Sequence, residues 1–200
     1  VGFERSEIQS AWWFHTASTE SIIGDVITMR DDALERLGDD GIGCNVTEVN
    51  DNWGDDGMTF RRIKGTFTAP QYVEADFPPT LLRRDQSGTP LFVENREVVF
   101  TITIPQSLAN SSTSGPLTVM GHGFLGNGDG MVSGGLREWG ELFGTPMIGT
   151  DFKGWSSDGD YDAVTFALMN VEYFQHQAER LMQSMMNNVA MVRTFSGVCS

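Results

Sequence analysis

Leu117-Thr-Val-Met-Gly-His-Gly-Phe-Leu-Gly126 is the stretch that decides the fold. Apolar and β-favouring residues run into Gly121, and the chain then turns through His122-Gly-Phe124 into a glycine-rich loop. A short buried strand that ends in small residues and leads to a helix is where α/β proteins place their chemistry.

Downstream of this stretch the pattern alternates between strand and helix. A helix is expected near Gly134–Phe143, and Pro146-Met-Ile-Gly-Thr-Asp151 reads as a second strand. A long helical region begins at Asp158–Asp162. The spacing then predicts a helix from Gln177 to Phe195, with Leu181, Met185, Val189 and Val192 on its apolar face. Strand-helix-strand-helix at this spacing implies right-handed crossovers and a parallel sheet.

Upstream the chain is richer in strands. Ile8 to Ala17 is aromatic and β-favouring, and reads as a strand. Ser18-Thr-Glu-Ser21 opens a helix from about Thr19 to Leu37, with Ile22, Ile23, Val26, Met29, Ala33, Leu34 and Leu37 at three- and four-residue spacing and Gly38 as its stop. Further strands are expected at Cys44–Val49, Met58–Ala69 and Glu97–Ile104. Asp51 to Gly57 and Asp85-Gln-Ser-Gly88 are turns, and Gln106 to Gly115 is a polar surface connector. The fold class expected is therefore α/β, the first half of a parallel sheet with flanking helices, preceded by a β-rich segment. The division falls at 1–96 and 97–200.

Composition narrows the function classes. Hydrophobic residues make up 40% of the 200 residues and charged residues 20%, which is globular. The net charge of −14 repels phosphate backbones, and no basic cluster interrupts it, so no nucleic-acid partner is expected. No apolar run is long enough for a transmembrane helix. The chain starts with Val, which suits a mature form or a fragment. Cys44 and Cys199 are open to two readings, buried thiols or one long-range disulfide, because spacing alone cannot bring two Cα atoms into range. The sequons Asn45-Val-Thr47 and Asn110-Ser-Ser112 are short enough to arise by chance.

Gly121 to Gly130 holds five glycines in ten residues, so backbone N–H groups there can approach a ligand without obstruction from Cβ atoms. Gly121, Gly123 and Gly126 satisfy GxGxxG formally. Without a placed acidic ribose ligand, that match is weak evidence for a dinucleotide. The competing use of such a loop is to supply an oxyanion-hole N–H.

Val119-Met-Gly-His-Gly-Phe-Leu-Gly126 resembles the strand and His-Gly oxyanion loop of bacterial lipases and esterases of the α/β-hydrolase family. Thr150-Asp-Phe-Lys-Gly-Trp-Ser-Ser-Asp158 is similar to the next strand and loop of an extracellular lipase-like group. Ala11 to Ser18 and Met29-Arg-Asp-Asp-Ala33 look like the region before the hydrolase core. The resemblance implies a carboxylic ester hydrolase, secreted or in the bacterial cell envelope, that acts on ester or lipid substrates. It makes the Phe124 N–H the oxyanion donor, with His122 and Gly123 shaping the turn, and it implies no metal or organic cofactor. Asp151, at the end of a buried strand, has two readings: a cap that holds the following loop by hydrogen bonds, or a substrate-proximal carboxylate.

One part of the pattern is missing. No Gly-x-Ser-x-Gly occurs, and Gly154-Trp-Ser-Ser-Asp158 lacks the second glycine and follows the wrong strand. The expectation is an N-terminal piece of a longer enzyme, inactive alone, whose Ser, acid and His lie beyond Ser200. Such a piece would leave Met-rich helical faces exposed. The rival reading is a non-catalytic extracellular binding module whose acidic loops, Asp51–Gly57 and Asp158–Asp162, hold calcium, although neither loop has EF-hand spacing. His15 reads as a packed strand residue and His176 as exposed. Three scattered histidines make no zinc set. Oligomeric state is not legible in the sequence.

Overall fold

The computed structural model describes residues 2, 4–10, 12–111 and 115–200. Five strands form one mixed sheet: β1 Cys44–Asp51, β2 Thr59–Gln71, β3 Glu94–Pro105, β4 Thr118–Met120 and β5 Met147–Thr150, in the order β1-β2-β3-β5-β4. The fold is α/β, with helices flanking the sheet. The parallel pairing expected of the glycine-loop strand is found between β4 and β5, while β1–β2, β2–β3 and β3–β5 are antiparallel. The β-rich segment is thus continuous with the parallel pair, and the sheet takes strands from both sides of residue 96.

Helix α1 (Thr19–Leu37) forms as its spacing dictates. The Ser18 hydroxyl accepts a hydrogen bond from Ser21 N–H, and Gly38 ends the helix at φ +63°. Met29, Ala33 and Leu37 are buried, whereas Ile22 and Ile23 face solvent. The segment before α1 departs from expectation. The described residues among 8–17 form no strand, and Trp12, Trp13 and Phe14 are 78%, 80% and 72% exposed. High β propensity does not make a strand without a neighbour to share a ladder. Ala11 lies outside the described residues, as does Ser112 of the second sequon.

The glycine loop leads into α2 (Gly128–Ser133) and, after a break at Gly134–Leu136, α3 (Arg137–Phe143). The first of these lies ahead of the helix expected from Gly134, because Gly128 and Gly130 argue against helix in isolation. Its anchor is tertiary. Arg62 of β2, 5% exposed, donates to both oxygens of Asp129 on α2, and also bonds Glu48 and Asn50 of β1. The long helical region after Asp158 is two helices, α4 (Tyr161–Met169) and α5 (Phe174–Ser196), parted at Asn170.

One core cluster lies between the sheet and α5, formed by Leu37, Phe67, Ala69, Phe100, Ile148, Ala190 and Met191. A second joins Met29, Ala33, Tyr72, Val73, Leu82 and Met186. Cys44 and Cys199 form a disulfide that ties the start of β1 to the chain just past α5.

The buried face of α5 corrects the sequence reading. Met185 and Val192 are about half exposed, and Leu181 and Val189 are only partly covered. The face turned inward carries Gln177, Arg180, Gln183, Ser184, Asn187 and Thr194. Several of these polar groups are inside because partners wait for them, although Gln177 Oε1 and Thr194 Oγ1 have none among the described residues. Gln183 accepts from Tyr72 N–H and donates to Pro70 O, Asn187 accepts from Gln71 and Gln183, and Ser184 donates to Lys153 O.

Candidate active site

The two segments singled out in the sequence, 119–126 and 150–158, lie together at the end of the parallel pair. Their contact is made of hydrogen bonds. Leu125 N–H donates to Trp155 O (2.8 Å), Ser157 N–H donates to Gly126 O (2.9 Å), and Phe152 N–H donates to His122 Nε2 (2.8 Å). The last bond fixes the chemistry of His122. Because Nε2 accepts, the proton sits on Nδ1, 2.7 Å from Gly123 O, to which it donates. His122 is 6% exposed, neutral, and committed at both ring nitrogens.

Packing enforces the same arrangement. The His122 and Phe152 rings pack at a 34° tilt with centroids 4.8 Å apart, and Phe124 meets Trp155 edge-on at 4.7 Å. A Cβ on Gly121 would come within 2.7 Å of the Phe152 ring, and one on Gly128 within 2.7 Å of the Thr150 backbone, so both positions need glycine for close approach. Leu125 holds φ +55°, a conformation that L residues with a bulky side chain rarely adopt. Gly126 N–H closes the turn onto Gly123 O. Among the described residues, no acceptor is paired with the N–H of Gly123 or of Phe124, and both residues are exposed. The loop therefore presents unpaired donors on a backbone held from behind.

Asp151 follows β5 directly, and its Oδ1 accepts from Gly128 N–H at 2.7 Å. Burial pushes its carboxyl above the usual carboxylate range. The Gly128 bond opposes that rise and the neighbouring Asp158 adds to it. The rest of the loop is fastened to α5. Asp160 accepts from Gly154 N–H and pairs with the buried Arg180, and Lys153 pairs with Asp76.

The serines of Gly154-Trp-Ser-Ser-Asp158 are structural in this arrangement. Ser156 is fully buried with its hydroxyl on Asp158 O, and Ser157 Oγ reaches Gly126 O and Asp158. His15 is exposed in an irregular segment, its ring 5.2 Å from Trp13. His176 is half-buried rather than exposed, with Nδ1 3.1 Å from Tyr173 O. Of the acidic loops, Asp51 pairs with Arg61, Asp56 with Arg137 and Asp160 with Arg180. Among the described residues no group of three or more His, Cys, Asp or Glu side chains could hold a metal ion. Sequence reasoning singled out His122, Gly123, Phe124 and Asp151 as candidates but not the backbone groups of Phe152, Trp155, Ser157 and Gly128 that bond them or their loop neighbours Leu125 and Gly126. Backbone hydrogen bonds leave no residue-type signature.

No family model matches the chain, and no curated protein is similar to it. Among solved structures, a Bacteroides fragilis protein provisionally described as an acetyl xylan esterase is similar at 11% identity and a TM-score of 0.44. The match covers 84% of this chain and 41% of that one. The chain thus spans about two fifths of the length of that structure.

Proposed function

We propose that this chain supplies the oxyanion-hole half of a serine ester hydrolase. The observation that carries the reading is the unpaired N–H of Phe124, on a loop whose shape is held by a neutral, doubly bonded His122. In ester hydrolysis, negative charge develops on the former carbonyl oxygen, and a donor fixed in advance stabilises it without reorganising. In this reading Phe124 N–H is that donor, His122 and Gly123 shape the turn, and Asp151 lies beside the substrate. In this reading neither His122, occupied at both ring nitrogens, nor the buried Ser156 supplies the base or the nucleophile. The Cys44–Cys199 disulfide supports a secreted or cell-envelope location, because such bonds persist in oxidising compartments.

The test is p-nitrophenyl ester turnover by the product of the whole gene and by this chain. The whole product is expected to be active and the chain inactive. Phe124→Pro, which deletes the N–H, is expected to lower kcat by about 10²-fold or more. Turnover by the chain alone, or full activity of the proline variant, would overturn the reading.

A further inference from the structure

Behind the oxyanion loop lies a cavity of about 320 Å³, within the size range of small-molecule sites. Asp151 and Ser156 form its wall toward the loop, and Ser156 is bridged to Gly126. Its lining includes Gln71 at the end of β2 and Asn187 on α5, which are 1% and 2% exposed.

The hydrogen bonding of these two amides is half complete. Gln71 Nε2 donates to Ala69 O and to Asn187 Oδ1, and Gln183 Nε2 donates to the same Asn187 oxygen. Reversing the Asn187 amide would set its NH2 against two donors, so its orientation is fixed. Gln71 Oε1 and Asn187 Nδ2 have no partner among the described residues, yet neither is sealed away from space that a ligand could enter. The cavity therefore offers one acceptor and one donor from residues that cannot turn elsewhere.

The cationic groups around it are already paired, whereas Asp151 and Asp158 line it with no cationic partner among the described residues. Lys153 and Arg96 pair with Asp76, Asp160 pairs with Arg180, and Glu97 accepts from Thr68. An anion would face the carboxylates of Asp151 and Asp158, and a cation, which only donates, would leave Asn187 Nδ2 without an acceptor. An alkyl chain would leave the two buried amide groups without water or partner, which is unfavourable. A hydroxyl is donor and acceptor at once, and satisfies both.

We infer that this cavity is a subsite for a neutral polyhydroxylated group. On the ester-hydrolase reading, on which this assignment of role rests, it takes the polyol portion of the substrate and not a lipid acyl chain. The expected probe is methyl β-D-glucopyranoside, added to the ¹⁵N-labelled chain while the Asn187 side-chain NH2 signals are followed. Saturable shifts in the millimolar range are expected. The tetra-O-methyl ether of the same glycoside keeps the ring but loses every donor, and is expected to leave those signals unmoved. Val99→Phe narrows the cavity from a half-exposed β3 position outside the amide network, and is expected to weaken binding about tenfold or more. Unmoved Asn187 signals with the glucoside, or equal shifts with the ether, would overturn the inference and leave a site that holds only water. Binding without ester turnover by the whole gene product would refute the hydrolase reading and keep the subsite. Turnover without binding would do the reverse.

Discussion

The antiparallel part of the sheet and its parallel corner are built by different means. Strands β2 and β3 run for 13 and 12 residues, pair along their length, and bury Phe67 and Phe100 against α5. Strands β4 and β5 have 3 and 4 residues. What orders the corner is a handful of separate hydrogen bonds between two loops, with His122 at their centre. A long ladder distributes its stability, so no single bond decides it. A loop pair concentrates its geometry, so one side chain can. The molecule thus keeps its general stability and its candidate chemistry in different places, and the two should fail separately.

The largest expected effect belongs to the antiparallel part. The Cys44–Cys199 bond closes a loop of 155 residues, and its loss in Cys44→Ser with Cys199→Ser should cost about 4 kcal/mol. That corresponds to a fall in melting temperature of about 10 °C, read by calorimetry. Amide exchange under native conditions should accelerate everywhere in proportion to global unfolding. If only the corner loosened, the division between the two regions would be wrong.

His122→Ala should do the opposite. It removes the acceptor for Phe152 N–H and the donor to Gly123 O, at about 1–3 kcal/mol for buried groups left unpaired. Exchange at the amides of Phe152, Leu125 and Ser157 should quicken, while β2 and β3 keep their protection. Uniform loosening would show that the corner is not an independent unit.

The same division explains what was legible in the sequence. Helix α1 and strands β1 to β3 follow from periodicity, capping and β-branched runs, because local pattern and burial agree there. The described residues of 8–17 and the buried face of α5 did not follow, for a common reason. Trp12 to Phe14 have strand propensity but no partner strand, and α5 turns Gln183, Ser184 and Asn187 inward because β2 and Lys153 O supply bonds that no helical-face rule can foresee. In the candidate site, His122, Gly123, Phe124 and Asp151 were visible as residue types at the end of a strand. The hydrogen bonds that give them a shape belong to the tertiary fold.

Two carboxylates sharpen the comparison through pH. Burial alone would raise Asp129. Hydrogen bonds from Arg62, Ser133 and Lys64 outweigh it and hold the carboxyl at about 2. Its folded value lies below the unfolded one, so its stabilisation is present above about pH 4 and is lost as pH falls toward 2. Allowing for a partly solvated carboxylate, Asp129→Asn should cost about 1–2 kcal/mol at pH 7 and much less at pH 2. A urea midpoint measured across that window checks it.

Asp151 should show a smaller effect of the opposite sign. Its folded value is raised, chiefly by burial, so the native state is penalised while the group is charged. That penalty disappears as pH falls through the raised value. Asp151→Asn keeps an oxygen for Gly128 N–H and removes the charge. The variant should melt slightly higher than the parent at pH 7, and the two should converge in acid as the parent protonates. A lower melting point at pH 7 would mean that the charge is balanced by a group in the folded chain, which would return Asp151 to a structural role. A carboxylate that works against stability, one residue from the amide that holds His122, is more readily explained by a use than by packing. Stabilisation in Asp151→Asn would therefore support the substrate-proximal assignment, and it needs no activity measurement.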